Sequence, residues 1–196
     1  MYNKVDNYNL QAIFYSRYNI FRHKMNKNKK KYILGETDEE FICVSEKDNQ
    51  RIAVSMIEQT ELQLDILSQL FDPDIYDNSE CCEAIEDLAL RSRHSRIRIL
   101  LHDVKSVSQR GHLVLELGKR LASPMMQFRR VQEYDKSIPD TFMIADRIGI
   151  MHRPHPDTLA ATVNFKDHPT AKELTKLFED IWKNAEPDPY ARYIII

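Results

Sequence analysis

The chain has 196 residues, 42% of them apolar and 30% charged, with only four glycines and eight prolines, which suits one well-filled domain and excludes a loop-rich or collagen-like chain. Its net charge of −2 hides an asymmetry: residues 1–31 carry eight Lys or Arg against Asp6 alone, so the remainder holds 20 bases and 29 acids, a net of −9. An acidic body repels phosphates, which disfavours nucleic acid and anionic membrane as partners of everything but the leader.

Residues 1–31 read as a basic, disordered leader, with Met25 as an alternative start. The run Lys27-Asn-Lys-Lys-Lys31, with tyrosines upstream, also has the composition of a nucleic-acid contact. A single domain is expected over residues 41–196. Phe41–Val44 reads as a short strand, and Ser45-x-x-Asp48 as a cap. The helix that follows, Asn49 to Thr60, has Ile52, Ala53, Met56 and Ile57 on one face. Glu61 to Leu67 alternates as a half-buried strand does. Asp72-Pro-Asp and Asp77-Asn-Ser mark turns, and Glu80 to Arg91 predicts a helix with Cys81, Ala84, Ile85, Leu88 and Ala89 inward.

Arg91-Ser-Arg-His-Ser-Arg-Ile-Arg98 is the most basic segment outside the leader. Arg91, Arg93, Arg96 and Arg98, with Arg153, are candidate anion-binding residues. A helix C-terminus running into a strand accounts for the same charges, because cations favour that end of the dipole. The strand Arg96–Leu101 ends on His102-Asp103. A helix is expected over Gly111–Leu121, where His112 and Glu116 share a face at a spacing that suits a metal or a proton-transfer pair. A strand, Met125–Arg129, comes next.

Ser137-Ile-Pro-Asp140 reads as a turn before a tight strand pair, Thr141–Asp146 and Ile148–His152. His152-Arg-Pro-His155-Pro-Asp157 crowds three potential ligands into a proline-stiffened loop. Leu159–Phe165 reads as a further strand. Asp167 should cap a long last helix to Asn184, with Pro169 in its first turn and Ala171, Leu174, Leu177, Phe178, Ile181 and Trp182 as its apolar face. Glu186-Pro-Asp-Pro breaks that helix, and Tyr193–Ile196 is expected to dock as a final apolar segment.

Three cysteines, Cys43 and the adjacent Cys81 and Cys82, make a poor disulfide framework and match no zinc pattern, so a reducing, cytoplasmic setting is expected. No apolar run approaches the roughly 20 residues of a membrane span. Arg17, Arg22 and His23 interrupt any signal-peptide core. The glycines are too scattered to cradle a phosphate, and neither a Gly-x-Ser-x-Gly elbow nor a His-Glu-x-x-His helix occurs. No metal or cofactor is expected.

Ser95-Arg-Ile-Arg-Ile-Leu-Leu101, Phe142-Met-Ile-Ala-Asp146 and the closing Leu177-Phe-Glu-Asp-Ile-Trp182 together resemble one half of the phospholipase D superfamily. With Leu67–Tyr76, Arg110-Gly-His112 and Glu186-Pro-Asp-Pro189, the chain more narrowly resembles a bacterial domain of unknown function. That domain stands alone or behind a GNAT-type acetyltransferase. The likeness spans residues 45–196 and implies an α/β fold, a phospholipase-D-like mixed sheet flanked by helices on both faces. The superfamily signature is His-x-Lys-x-x-x-x-Asp, in which the imidazole attacks phosphorus and the lysine holds its oxygens. With Asp146 as the aspartate, the other two positions fall on Pro139 and Thr141, and the Gly-Ser that usually follows falls near His152-Arg153. The resemblance thus implies a catalytically degenerate module with a binding or regulatory role. A second copy, another protein or a phosphate-bearing ligand would be its partner. A rival reading is a phosphodiesterase or hydrolase with relocated chemistry, drawing on His102, Asp103, His112, Asp146, His152 and His155. A nucleic-acid-binding protein using the leader and Arg91–Arg98 is a third.

Overall fold

The computed structural model describes residues 32–121, 125–138, 140–155 and 158–187. The leader, Pro139, Asp157 and the Tyr193–Ile196 segment lie outside the described residues. Among the described residues eight strands form one mixed sheet: β1 (Phe41–Cys43), β2 (Gln63–Ser68), β3 (Arg96–Leu101), β4 (Met126–Arg130), β5 (Thr141–Ala145), β6 (Gly149–Arg153), β7 (Ala161–Asn164) and β8 (Glu186–Pro187). Their order across the sheet is β1-β7-β6-β5-β2-β3-β4-β8. β2, β3 and β4 are parallel, and every other pairing is antiparallel. Among the described residues six α-helices accompany them: α1 (Glu46–Gln59), α2 (Pro73–Tyr76), α3 (Ser79–Arg91), α4 (Val104–Arg110), α5 (Leu113–Leu121) and α6 (His168–Asn184).

Side-chain alternation assigns the two faces. Leu64, Ile66, Ile97, Ile99, Leu101, Met143 and Met151 pack with α1 and α3 to α5 in one core. Leu67, Leu100, Phe142, Ile144 and Ile150 meet Phe178, Ile181 and Trp182 of α6 in the other. The sheet is therefore covered on both sides, as expected.

Local chemistry sets the helix ends. Ser45 Oγ accepts the Asp48 amide at 3.1 Å, so α1 starts at Glu46, three residues before its expected start. Asp167 caps α6 by accepting the Thr170 amide at 3.0 Å. Periodicity left Val104–Arg110 unassigned, yet it is helical: Asp103 accepts the Ser106 amide at 3.0 Å, and Gly111, at φ +76°, ends it. Gly111 belongs to that junction, so α5 begins at Leu113 and not at Gly111. Residues 32–40, between the expected leader and domain, join the fold. Tyr32 is buried beside Phe41 and Phe165, and the Gly35 amide donates to the Phe165 carbonyl at 2.9 Å.

Helix α5 lies close on β4 because Gly118 faces the Phe128 ring, and a Cβ at Gly118 would collide with it. Gly118→Ala is expected to lower stability by about 1–3 kcal/mol through overpacking, although alanine is the better helix former. The unfolding midpoint in urea measures this, and an unchanged or raised midpoint would contradict the close approach.

Candidate functional site

In open α/β sheets, ligands bind at the carboxyl ends of the parallel strands. Here that edge comprises the ends of β2 and β3, the start of β5 and the end of β6, since Thr141 pairs with Arg153 and Phe142 with His152. Arg153 is 3% exposed. Its guanidinium donates to the Asp72 carboxylate, which also accepts from the Ser68 hydroxyl at 3.3 Å. Burial raises the Tyr76 phenol well above its ordinary value; Asp72 adds to this and Arg153 opposes it. The Arg153 cation is thus already neutralised inside the protein. On the α6 side of the same edge, His152 Nε2 and Asp140 Oδ1 lie 2.7 Å apart.

His102 follows β3 on this edge, its amide donating to the Ser68 carbonyl at 3.3 Å. Its Nε2 is buried with no hydrogen-bond partner among the described residues. Burial, and then the Lys136 ammonium, hold its pKa below 6.5. Asp103 is spent on capping α4: its carboxyl accepts the Ser106 hydroxyl at 2.6 Å, and the two Ser106 hydrogen bonds lower its pKa. His155 is exposed, beyond the end of β6.

The other candidates lie elsewhere. Asp146 is at the opposite end of β5, where its carboxylate accepts the amides of Glu61, Leu62 and Gln63 at 2.7, 2.9 and 2.8 Å. His112 is 3% exposed and stacks on Phe71. Glu116 turns instead to Lys119 at 2.7 Å, so the pair suggested by helical spacing is not made. The reason is that His112 precedes the first turn of α5, where Glu116 donates its amide to the His112 carbonyl.

The arginines do not converge either. Arg91 donates to the Thr60 and Glu58 carbonyls at 2.5 and 3.3 Å. Arg93 donates to His94 at 3.2 Å, and Arg96 is exposed at the start of β3. Arg98 forms a two-pronged pair with Asp65 at 2.7 and 2.9 Å and also reaches Glu179 at 2.8 Å. Burial opposes its charge, but the hydrogen bonds to these carboxylates outweigh that and raise its pKa. Among the described residues, no three His, Cys, Asp or Glu side chains gather as metal ligands do.

Residues 45–194 match the family described as domain of unknown function DUF7931. The chain belongs to this family. No curated protein matches it in sequence. Solved structures share its fold at low identity. TrmBL2, an archaeal chromatin protein with a novel mode of DNA binding, has a TM-score of 0.58 at 14% identity, over 93% of this chain and 65% of its own. The chain thus spans just under two thirds of TrmBL2. Nuc from Salmonella typhimurium, a phospholipase D family member, has a TM-score of 0.52 at 12% identity, over 76% of this chain and 99% of its own. NucT from Helicobacter pylori has a TM-score of 0.54 at 11% identity, with the same coverage. The chain therefore has a phospholipase-D-like fold. No helix among the described residues is long and apolar enough to cross a membrane.

Asp72, Ser68, Tyr76 and Asp140 escaped the sequence reading as site residues. Asp140 was within reach of it: a hairpin turning at Asp146–Arg147 pairs residue 142 with residue 152 and so brings Asp140 near His152. Nothing in the sequence links Asp72 to Arg153, 81 residues away.

Two measurements check this geometry. Asp72→Ala leaves a buried guanidinium without its carboxylate and should cost about 3–5 kcal/mol, whereas Asp72→Ala combined with Arg153→Met should recover much of that loss. Equal losses in the single and double variants would mean that the pair is not coupled. The pKa of His102 is depressed in the fold, so the unfolded chain binds the proton more readily. Stability from this group is full above pH 6.5 and is lost as pH falls through the lower folded value. His102→Asn should flatten the acid-side decline in urea stability by about one proton, and an unchanged slope would place that proton elsewhere.

Proposed function

We propose that this family member is a catalytically degenerate phospholipase-D-like module that acts as a binding or regulatory domain. The observation that carries this is the state of the candidate edge. Thr141, at the lysine position of the superfamily signature, is buried in β5, and its strand partner Arg153 is neutralised by Asp72. A phosphoryl group in transit needs a preorganised cation to take up its charge, and this pair does not offer one. The histidine position of the signature is Pro139, which can neither attack nor donate. Under this reading the partner is another protein or a second copy of the chain. An acetyltransferase is the partner that the family resemblance offers.

A second reading has its own support. The close contact of His152 with Asp140, and the His102 Nε2 that has no partner among the described residues on the same edge, are what a relocated phosphodiesterase would draw on. The DNA-binding neighbour TrmBL2 adds nucleic acid as a third candidate ligand, against which the net charge of −9 outside the leader counts.

One experiment separates these readings. The full chain is assayed for hydrolysis of bis(p-nitrophenyl) phosphate, a phospholipid and single-stranded DNA, alongside His102→Ala and His152→Ala. The expected result is no turnover above buffer in any of the three proteins. Turnover by the native chain that both variants lose would overturn the degenerate reading in favour of the phosphodiesterase. DNA retention that weakens steeply with salt would favour the nucleic-acid reading.

A further inference from the structure

Asp72 has two calls on its carboxylate. It stands at the N-cap of α2, and it is the partner of Arg153. An aspartate at an N-cap normally accepts the amide of the second or third helical residue, here Asp74 or Ile75. The Asp72 side chain caps no amide. It takes two other donors instead, the Arg153 guanidinium and the Ser68 hydroxyl at 3.3 Å.

Those donors are fixed. Arg153 lies in β6, paired with Thr141, and its side chain is 4% exposed. Ser68 ends β2, and its Oγ also accepts the Phe71 amide at 3.0 Å. The backbone beside Asp72 is pinned as well. The Phe71 carbonyl lies 3.0 Å from His112 Nε2, and the Asp72 carbonyl accepts the Ile75 and Tyr76 amides at 3.0 and 2.9 Å. Only the Asp72 side chain has a second place to go, the cap of its own helix, reached by rotation about its Cα–Cβ bond.

A guanidinium with a hydroxyl beside it is a donor set for an oxyanion, and a carboxylate already sits in it. That carboxylate is 29% exposed, so the space it fills opens to solvent. None of these residues stands at a position of the superfamily signature, which falls on Pro139, Thr141 and Asp146.

We propose that Arg153 and Ser68 form a binding site for a compact oxyanion, a phosphate or carboxylate group, in which the Asp72 carboxylate is an internal stand-in. The ligand takes the two donors, and Asp72 swings to accept the Asp74 amide. The buried guanidinium is never left unpaired, which is the state that costs most. An internal competitor lowers the apparent affinity by the fraction of time it holds the site. The inference rests on reading this edge as one that binds its ligand without turning it over.

The test is titration of the full chain with inorganic phosphate and with acetate, followed through the backbone amide resonances. At saturation of the native chain the Asp74 amide should shift and exchange its hydrogen more slowly, because it gains the Asp72 carboxylate. Asp72→Asn keeps a capping side chain but removes the competing charge, and should tighten the better ligand at least about tenfold. Adding Arg153→Met to that variant should abolish binding. Which anion binds more tightly tells whether the site takes a phosphate or a carboxylate group. Failure of the native chain and Asp72→Asn alike to bind either anion would overturn the proposal. So would equal affinity in the two chains, binding that survives Arg153→Met, or an Asp74 amide that saturation leaves unmoved. The Asp74 signal needs no variant, so it decides the matter should Asp72→Asn fail to fold. Neither anion is a substrate for hydrolysis: absence of binding would leave the degenerate reading standing, and turnover of an ester would remove that reading while the exchange at Arg153 is still judged by these titrations.

Discussion

Strand β2 lies inside the sheet, parallel to β3 on one side and antiparallel to β5 on the other. It is buried on both faces, yet it carries Asp65, whose exposure is zero. A carboxylate in that position is tolerable only if it is paired, and Arg98, its register partner on β3, pairs with it through two hydrogen bonds. The guanidinium then reaches Glu179 and lies 4.8 and 5.2 Å from the ring centres of Phe178 and Trp182. One cation thereby ties two strands to α6. Such a pair adds little net stability over an apolar packing, but it penalises alternatives heavily. A one-residue slip of β2 on β3 would place Asp65 opposite Ile97 or Ile99, with no cation to meet it.

The candidate edge inherits its geometry from this register. β2 runs on into Ser68 and Asp72, so locking Asp65 to Arg98 also sets where Asp72 stands when it meets Arg153. The two ion pairs differ in kind. Asp65–Arg98 is a joint of the fold whose carboxylate is fully enclosed and whose guanidinium is nearly so. Asp72 is 29% exposed beside a guanidinium that is 4% exposed, so this pair touches solvent on its acidic side only. An anion approaching Arg153 meets the Asp72 carboxylate first.

Much of the fold was legible in the sequence because apolar periodicity and capping are local signals. The stripe on α6, its Asp167 cap and the apolar runs of β3 and β5 appear as expected, and the sheet is covered on both faces. Helix α4 was not assigned because only Val104 and Val107 mark its inner face, too few for periodicity to register. Its signal was chemical instead: Asp103 three residues before Ser106, and Gly111 to turn the chain. The site was less legible, since its contacts join distant residues. His112 and Glu116 have the spacing of a helical pair but straddle a helix start. Arg91 to Arg98 forms one basic run in sequence, but the structure sends those side chains to carbonyls, to a neighbouring histidine, to solvent and to a buried carboxylate.

Asp146, which the resemblance sets at the aspartate of the signature, shows why a motif position must be read through its contacts. Its residue and the next have φ of +48° and +59°, the left-handed pair that turns β5 into β6, and aspartate tolerates that conformation better than most residues. Its carboxylate takes up three consecutive amides at the entry to β2, and its own amide donates to the Gln63 carbonyl at 2.8 Å. The five residues of β5 separate it from the Arg153 edge by about 16 Å at the usual rise per residue. From there it cannot touch a phosphoryl group bound at that edge. Its work is to hold the β5–β6 turn against the start of β2, a task set by the fold and the same whether or not the far end of the strand performs chemistry. The presence of Asp146 therefore supports the fold and is neutral on activity, which has to be argued from the residues at the edge itself.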